Sequence, residues 1–299
     1  MSRCPACLEP FADNGFGGLA QHFVARAQAS DADHVRWLNQ NLSKRRLDPA
    51  EVDRRLAAQF DLSGRSLPEW VKARFIAKFF GANPHPFVSA LQHPSAKVLL
   101  GYVLEHQHFL RQWVRSCAFI AARSDRDDVI RYEIDNMATE FGGFGPERPS
   151  HYELLLRMGE SLGCSRERVL STAALPVTRK SLDAWDRIAT GTHWVEAMAA
   201  MHSLELIAHR DLLKEGATLH YFDPAILTGN DVTQETKAFL REGYAADVGH
   251  SDEALALVAK YARELGNTLD VQGTVLRSID LFDDYLIARL ERAEQLAGS

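Results

Sequence analysis

The chain has 299 residues, 46% hydrophobic and 25% charged, which excludes a disordered or fibrous chain and allows one large core or a core with a small appendage. Its 34 Lys and Arg against 40 Asp and Glu give a formal charge of -6, so neither nucleic acid nor an anionic membrane is expected as a partner. No stretch of about 18 apolar residues or secretory leader is seen, and four cysteines are too sparse for a disulfide framework, so a cytoplasmic, reducing location is the expectation.

The first 45 residues form a small zinc-finger-like module by this reading, and residues 46–299 a helical domain. Cys4 and Cys7 make a C-x-x-C pair whose turn lets two thiolates face one metal. His22 and His34 follow on short helical segments able to fold back over it, and four N/S ligands suit a structural, closed zinc site. The twelve-residue step between the histidines is longer than the usual finger spacing. A redox C-x-x-C is disfavoured, because that motif opens a helix after a strand.

Beyond the module, apolar residues recur at three- and four-residue spacing over residues 67–80, 96–122, 125–141, 151–162, 193–213, 232–248, 252–265 and 271–296. Strand signals are nearly absent, so the fold class is all-α, one helical bundle. Gly- and Pro-bearing loops at 81–86, 142–149 and 229–231 separate the helices. Ser150 with Glu153 three residues later caps one of them, placing His151 at a helix start, and Gly163 closes it.

Along these segments, Glu140 at one helix end and His151 at the next helix start converge. His202, Glu205 and His209 lie at i, i+3 and i+7 on one helical face, and Asp247 and His250 stand three apart on another. Carboxylates and imidazoles together suit iron or manganese better than zinc, and bundles build such sites from facing helices. His106 or His108, with Tyr102 or Arg115, are candidate substrate contacts on the long 96–122 helix. Asp252 and Glu253 read as a solvated helix start, His209 to Asp211 as surface, and Asp280, Asp283 and Asp284 as an exposed face.

This order of motifs resembles the heme-oxygenase-like diiron oxidases, the superfamily that includes thiaminase-like and pyrroloquinoline-quinone-synthase-like proteins, over residues 67–296. The resemblance implies a heme-oxygenase-like helical bundle with iron held by Glu140, His151, Glu205, Asp247 and His250. In that family the late helix carries H-x-x-x-D-x-x-H, whereas this chain has Gly243, Asp247 and His250, so one ligand of a two-iron site is missing. Glu242 cannot take the place, because one residue turns a helix by about 100°.

The function so implied is a ferrous-iron, dioxygen-dependent oxidase or oxygenase, with one or two ions, of a small and amino-acid-derived metabolite in natural-product or cofactor biosynthesis. The rivals are a metal-free quinone-synthase-like oxidase using cavity histidines, and a non-catalytic helical binding protein. Expected partners are the substrate and dioxygen, a second copy of the chain, and a protein docked on the N-terminal module.

Overall fold

A computed structural model describes residues 2–12, 15–41, 48–145 and 147–298, with the side chains of residues 245–248 left aside. Two short strands, β1 (Ser2–Arg3) and β2 (Pro10–Phe11), pair antiparallel around the C-x-x-C turn. Helices α1 (Gly17–Gln28), α2 (Ala32–Asn41) and α3 (Pro49–Phe60) follow, and α3 packs on α1. The boundary expected between residues 45 and 46 lies outside the described residues.

The remaining helices are α4 (Leu67–Phe79), α5 (Pro86–Ala90), α6 (Ala96–Arg123), α7 (Asp127–Met137), α8 (His151–Ser161), α9 (Arg166–Ser171), α10 (Pro176–Gly191), α11 (Trp194–His202), α12 (Gln234–Leu265) and α13 (Thr268–Gln295). The bundle is organised about α13, which packs along α6, α10 and α11. At the α6–α13 crossing Gly101 lies so close to its neighbour that a Cβ there would stand 2.4 Å from the Arg289 carbonyl oxygen, so only glycine allows this approach. No described helix is long and apolar enough to cross a membrane.

Capping chemistry sets several helix starts as the residues dictate. Ser66 and Glu69 form a reciprocal capping box on α4, and Ser150 accepts from the Glu153 amide to open α8. Gly163, at φ +83°, stands just past the α8 end in the left-handed conformation.

Four expected helices take different forms. The segment 125–141 is α7 followed by a π turn, Ala138–Gly142, which holds Glu140. The segment 193–213 is α11 followed by 3₁₀ turns, Ser203–Ala208 and Arg210–Glu215. Its α-helix ends because the Ala200 carbonyl accepts from the Ser203 and Ser278 hydroxyls (3.2 and 2.6 Å), competing with continuation of the α ladder. The segments 232–248 and 252–265 are instead one 32-residue helix, α12, which runs through Gly243 and Gly249. Packing on α8 and α11 offsets the roughly 1 kcal/mol that each interior glycine costs.

The N-terminal module docks on the bundle. Arg3 pairs with Glu196, Asp33 with Lys180 (2.6 Å) and Arg277 (3.5 Å), and Arg36 with Asp284. Asp280 and Asp283 both pair with Lys78 of α4 (2.9 and 3.3 Å), so the three late aspartates are joined to cations and are not an exposed face. Periodicity alone did not show which helix would cover them.

Candidate metal and substrate sites

In the N-terminal module the four ligands converge from the hairpin turn, α1 and α2. Cys4 Sγ lies 3.5 Å from His34 Nε2, Cys7 Sγ 3.4 Å from His22 Nε2, and the two Nε2 atoms are 2.9 Å apart. A tetrahedral zinc with Zn–S of ~2.3 Å and Zn–N of ~2.05 Å needs S···N separations of about 3.5 Å, so the donor set fits that ion. Asp31 accepts from His34 Nδ1 at 2.7 Å, the carboxylate-behind-histidine arrangement that fixes which nitrogen faces a metal. The Ala6 amide donates to Cys4 Sγ at 3.4 Å.

In the helical domain a partly open, aromatic cavity of about 80 Å³ lies between α6, the α7–α8 junction, the turn after α11, α12 and α13. That space holds roughly five to eight waters at ~10–15 Å³ each, the size of a small metabolite. Glu140, His151, Glu205, Tyr102, His106 and Gly243 all line it. His151 Nδ1 meets Glu140 Oε1 at 3.0 Å, with both residues buried. The π turn gives Glu140 its direction, since the wider turn rotates everything after it relative to α7.

Glu205 is held from the far side by Asn136, whose Nδ2 donates to Glu205 Oε1 at 3.0 Å. Trp113 fixes that amide by donating to Asn136 Oδ1 at 2.7 Å. Behind them His202 bridges two acids, with Nε2 2.9 Å from Glu133 and Nδ1 3.3 Å from Glu205. Burial alone would push His202 down, but Glu133 and then Glu205 override it and raise its pKa to about 10. His202 is therefore an imidazolium between two carboxylates. Cys117, Glu133 and His202 also bring ligand atoms within 4.8 Å of one another, the second such group among the described residues after the N-terminal four.

The expected iron ligands are thus brought together unequally. Glu140, His151 and Glu205 share the cavity wall, although no third described ligand atom joins the Glu140–His151 pair within that same spacing. His250 lies beside Tyr132, which donates to the His250 carbonyl at 3.0 Å, and His250 Nδ1 is buried with no hydrogen-bond partner among the described residues. The Asp247 side chain is outside the described residues.

Of the substrate candidates, Tyr102 and His106 line the cavity. His108 instead turns toward the Thr172 carbonyl (3.0 Å), because a two-residue step places it on another face of α6. Arg115 is exposed and reaches Asp186 at 3.7 Å, so it is not at the cavity. His209 is buried, not on the surface: the chain turns after Ala208, so it leaves the face of Glu205 and meets Asp252 at 3.3 Å. Asp252 lies inside α12 and also pairs with Lys72 at 2.8 Å, so it is not a solvated helix start.

Sequence reasoning missed Glu133, Asn136 and Arg289. Glu133, Asn136 and Glu140 stand at i, i+3 and i+7, a spacing that could have flagged a polar face on α7. Arg289 is 1% exposed and lines the cavity from α13. It donates to Tyr221 (2.7 Å), Tyr285 (2.9 Å) and His106 Nδ1 (3.0 Å), and lies 4.0 Å from the centre of the Tyr102 ring. Because arginine only donates, His106 Nδ1 is an acceptor and its proton sits on Nε2. Burial and then the Arg289 charge hold His106 well below the usual imidazole range, hence neutral.

The fold and the buried polar centre define a helical protein of the heme-oxygenase-like class with an appended Cys/His finger. Residues 70–293 match the TENA/THI-4/PQQC family, and the chain belongs to it. Residues 1–61 match a C2H2-type zinc finger.

The fold is similar to a domain of unknown function with a heme oxygenase-like fold from Shewanella denitrificans OS217, at 18% identity and TM-score 0.59, covering 80% of this chain and 95% of that one. It is also similar to a TenA homologue from Pseudomonas syringae pv. tomato str. DC3000, at 14% identity and TM-score 0.55, with coverage of 79% and 92%. A third is a TenA family transcription regulator from Silicibacter sp. TM1040, at 12% identity and TM-score 0.55, with coverage of 79% and 96%. No curated protein sequence matches the chain.

Proposed function

We propose that the chain is a non-haem iron, dioxygen-dependent oxidase or oxygenase acting on a small metabolite, with zinc held structurally by Cys4, Cys7, His22 and His34. The observation that carries the reading is the Glu140–His151 contact in the wall of an aromatic cavity that Glu205 also lines. Glu140, His151 and Glu205 would hold the iron, joined by Asp247 and His250 from α12, and His250 Nδ1 is a buried donor site with no partner among the described residues. Carboxylate and imidazole donors suit iron. Bound there, ferrous iron would supply a site at which dioxygen is bound and activated.

The chain's own residues prepare the site. Asn136, locked by Trp113, fixes the Glu205 carboxylate before anything binds. Phe109, Phe239 and Phe282 line the cavity and give a substrate apolar surface to pack against. His106, neutral with its proton on Nε2, is available as a hydrogen-bond donor toward a ligand.

Anaerobic Fe(II) titration of zinc-loaded protein, followed by oxygen uptake with candidate substrates, tests this. One iron per chain is expected, weakened at least tenfold in His151→Ala and in Asp247→Ala. Wild-type protein that binds no iron beyond the zinc-loaded background refutes the reading.

A second reading is favoured by His202. Its imidazolium already neutralises Glu133 and Glu205, a position a cation would otherwise take, which suits a metal-free oxidase of the quinone-synthase-like kind using His106 and His151 for proton transfer. Substrate oxidation that persists in iron-depleted, zinc-loaded protein would select it.

A further inference from the structure

Arg289 is the one described residue at the cavity whose charge is left without an opposite charge beside it. Three residues on, Arg292 takes the buried Glu105 at 2.7 Å, and no described Asp or Glu forms an ion pair with Arg289. Its hydrogen bonds all go to neutral groups, the Tyr221 and Tyr285 hydroxyls and His106 Nδ1. Its Nε is buried with no hydrogen-bond partner. The rings of Phe87, Tyr102 and Tyr285, with centres 5.0, 4.0 and 4.5 Å from the guanidinium carbon, stabilise the cation but consume none of its donors.

A guanidinium excluded from water, facing a cavity and still carrying an unused donor, is arranged to receive an anion. We propose that Arg289 anchors the carboxylate of a small, apolar-bodied carboxylic acid in this cavity. Tyr221 and Tyr285 hold the guanidinium in place, and the aromatic wall of Phe109, Phe239 and Phe282 takes the apolar body. The limited volume favours an acid of under about ten non-hydrogen atoms, by the count of waters the cavity accommodates. A carboxylate is preferred to a phosphate because a single guanidinium supplies all the positive charge at this end of the cavity, matching one negative charge. This assignment deepens the enzymatic reading of the same cavity by naming its substrate class, and it stands or falls without iron.

The test is calorimetric binding of acetate, butyrate, benzoate and phenylacetate, each against its amide and against inorganic phosphate, to full-length, zinc-loaded, iron-free protein. At least one acid is expected to bind ten times more tightly than its amide. Arg289→Met is expected to bring that ratio within twofold, Arg289→Lys to retain part of it, and Tyr221→Phe to reduce it severalfold. Acids and amides binding alike, neither binding, phosphate outbinding every acid, or an unchanged ratio in Arg289→Met would each overturn the assignment. Should Arg289→Met not fold, the wild-type ratio together with Tyr221→Phe decides it. The iron reading fails on metal stoichiometry, a separate readout, so the two failures are distinguishable.

Discussion

His202 Nε2 lies 2.9 Å from Glu133 Oε1, and both side chains are fully buried. Glu205 meets the other His202 nitrogen at 3.3 Å, so one buried imidazolium joins two acidic side chains. That arrangement links the geometry of the cavity wall to the stability of the whole bundle.

Replacing His202 by glutamine leaves Glu133 and Glu205 without a cation, a change expected to cost about 3–5 kcal/mol. The folded pKa of about 10 lies above the ordinary 6.5. Its stabilising contribution is therefore complete below about pH 6.5 and is lost as pH rises through about 10. Thermal or denaturant melts should show the largest gap between wild type and His202→Gln at and below about pH 6.5, narrowing steadily as pH rises from there to about 10. A gap of constant size across that range would show that the side chain carries no charge.

Gly101→Ala is expected to be among the most damaging single substitutions. The new Cβ would meet the Arg289 carbonyl oxygen at 2.4 Å and the Ala293 amide nitrogen at 2.9 Å, both backbone atoms that cannot swing aside. Forcing α6 from α13 should cost about 3 kcal/mol, the upper range for overpacking, despite the better helix propensity of alanine. The melting temperature should fall by roughly 6–12 °C at ~2–4 °C per kcal/mol.

Gly273→Ala should separate docking of the N-terminal module from its metal site. A Cβ at Gly273 would stand 2.5 Å from the Arg3 carbonyl oxygen, so β1 is pushed off α13 while Cys4, Cys7, His22 and His34 are untouched. The variant should keep zinc measured by elemental analysis yet lose amide-exchange protection over residues 2–11. Unchanged protection there would show that the contact does not hold the module.

Asp31→Ala should weaken zinc binding by ~10–100-fold, because the carboxylate that orients the His34 ring is removed while all four ligands remain. Competition with a chromophoric chelator measures this. Equal affinities would mean that α2 alone positions His34.

Gly243→His restores an imidazole at a position that lines the cavity. If Glu140, His151 and Glu205 hold iron, this variant should raise the iron content from about one to about two per chain, with a new absorbance in the oxidised protein. Unchanged stoichiometry would show that the glycine is not what limits the second position.

Much of this was legible in residue order. Apolar spacing fixed the helical class and most helix positions, and the TENA/THI-4/PQQC match now covers residues 70–293. The C-x-x-C pair and two later histidines foretold the N-terminal cluster, since ligand type and local turns alone bring them together. Glu140 and His151 were readable as a pair because only one loop separates them.

What depended on contacts between distant helices was not legible. His106 could be told from His108 only once α6 was seen against α13, and for the same reason Arg115 proved to be exposed and His209 buried beside Asp252. Arg289, on a helix read as apolar on one side and acidic on the other, has its surroundings set by three tyrosines on α6, α13 and the loop before α12. Local sequence determines which residues can lie on one helical face. Only tertiary packing determines which buried charges find partners, because a desolvated charge is answered by whatever a distant segment places beside it.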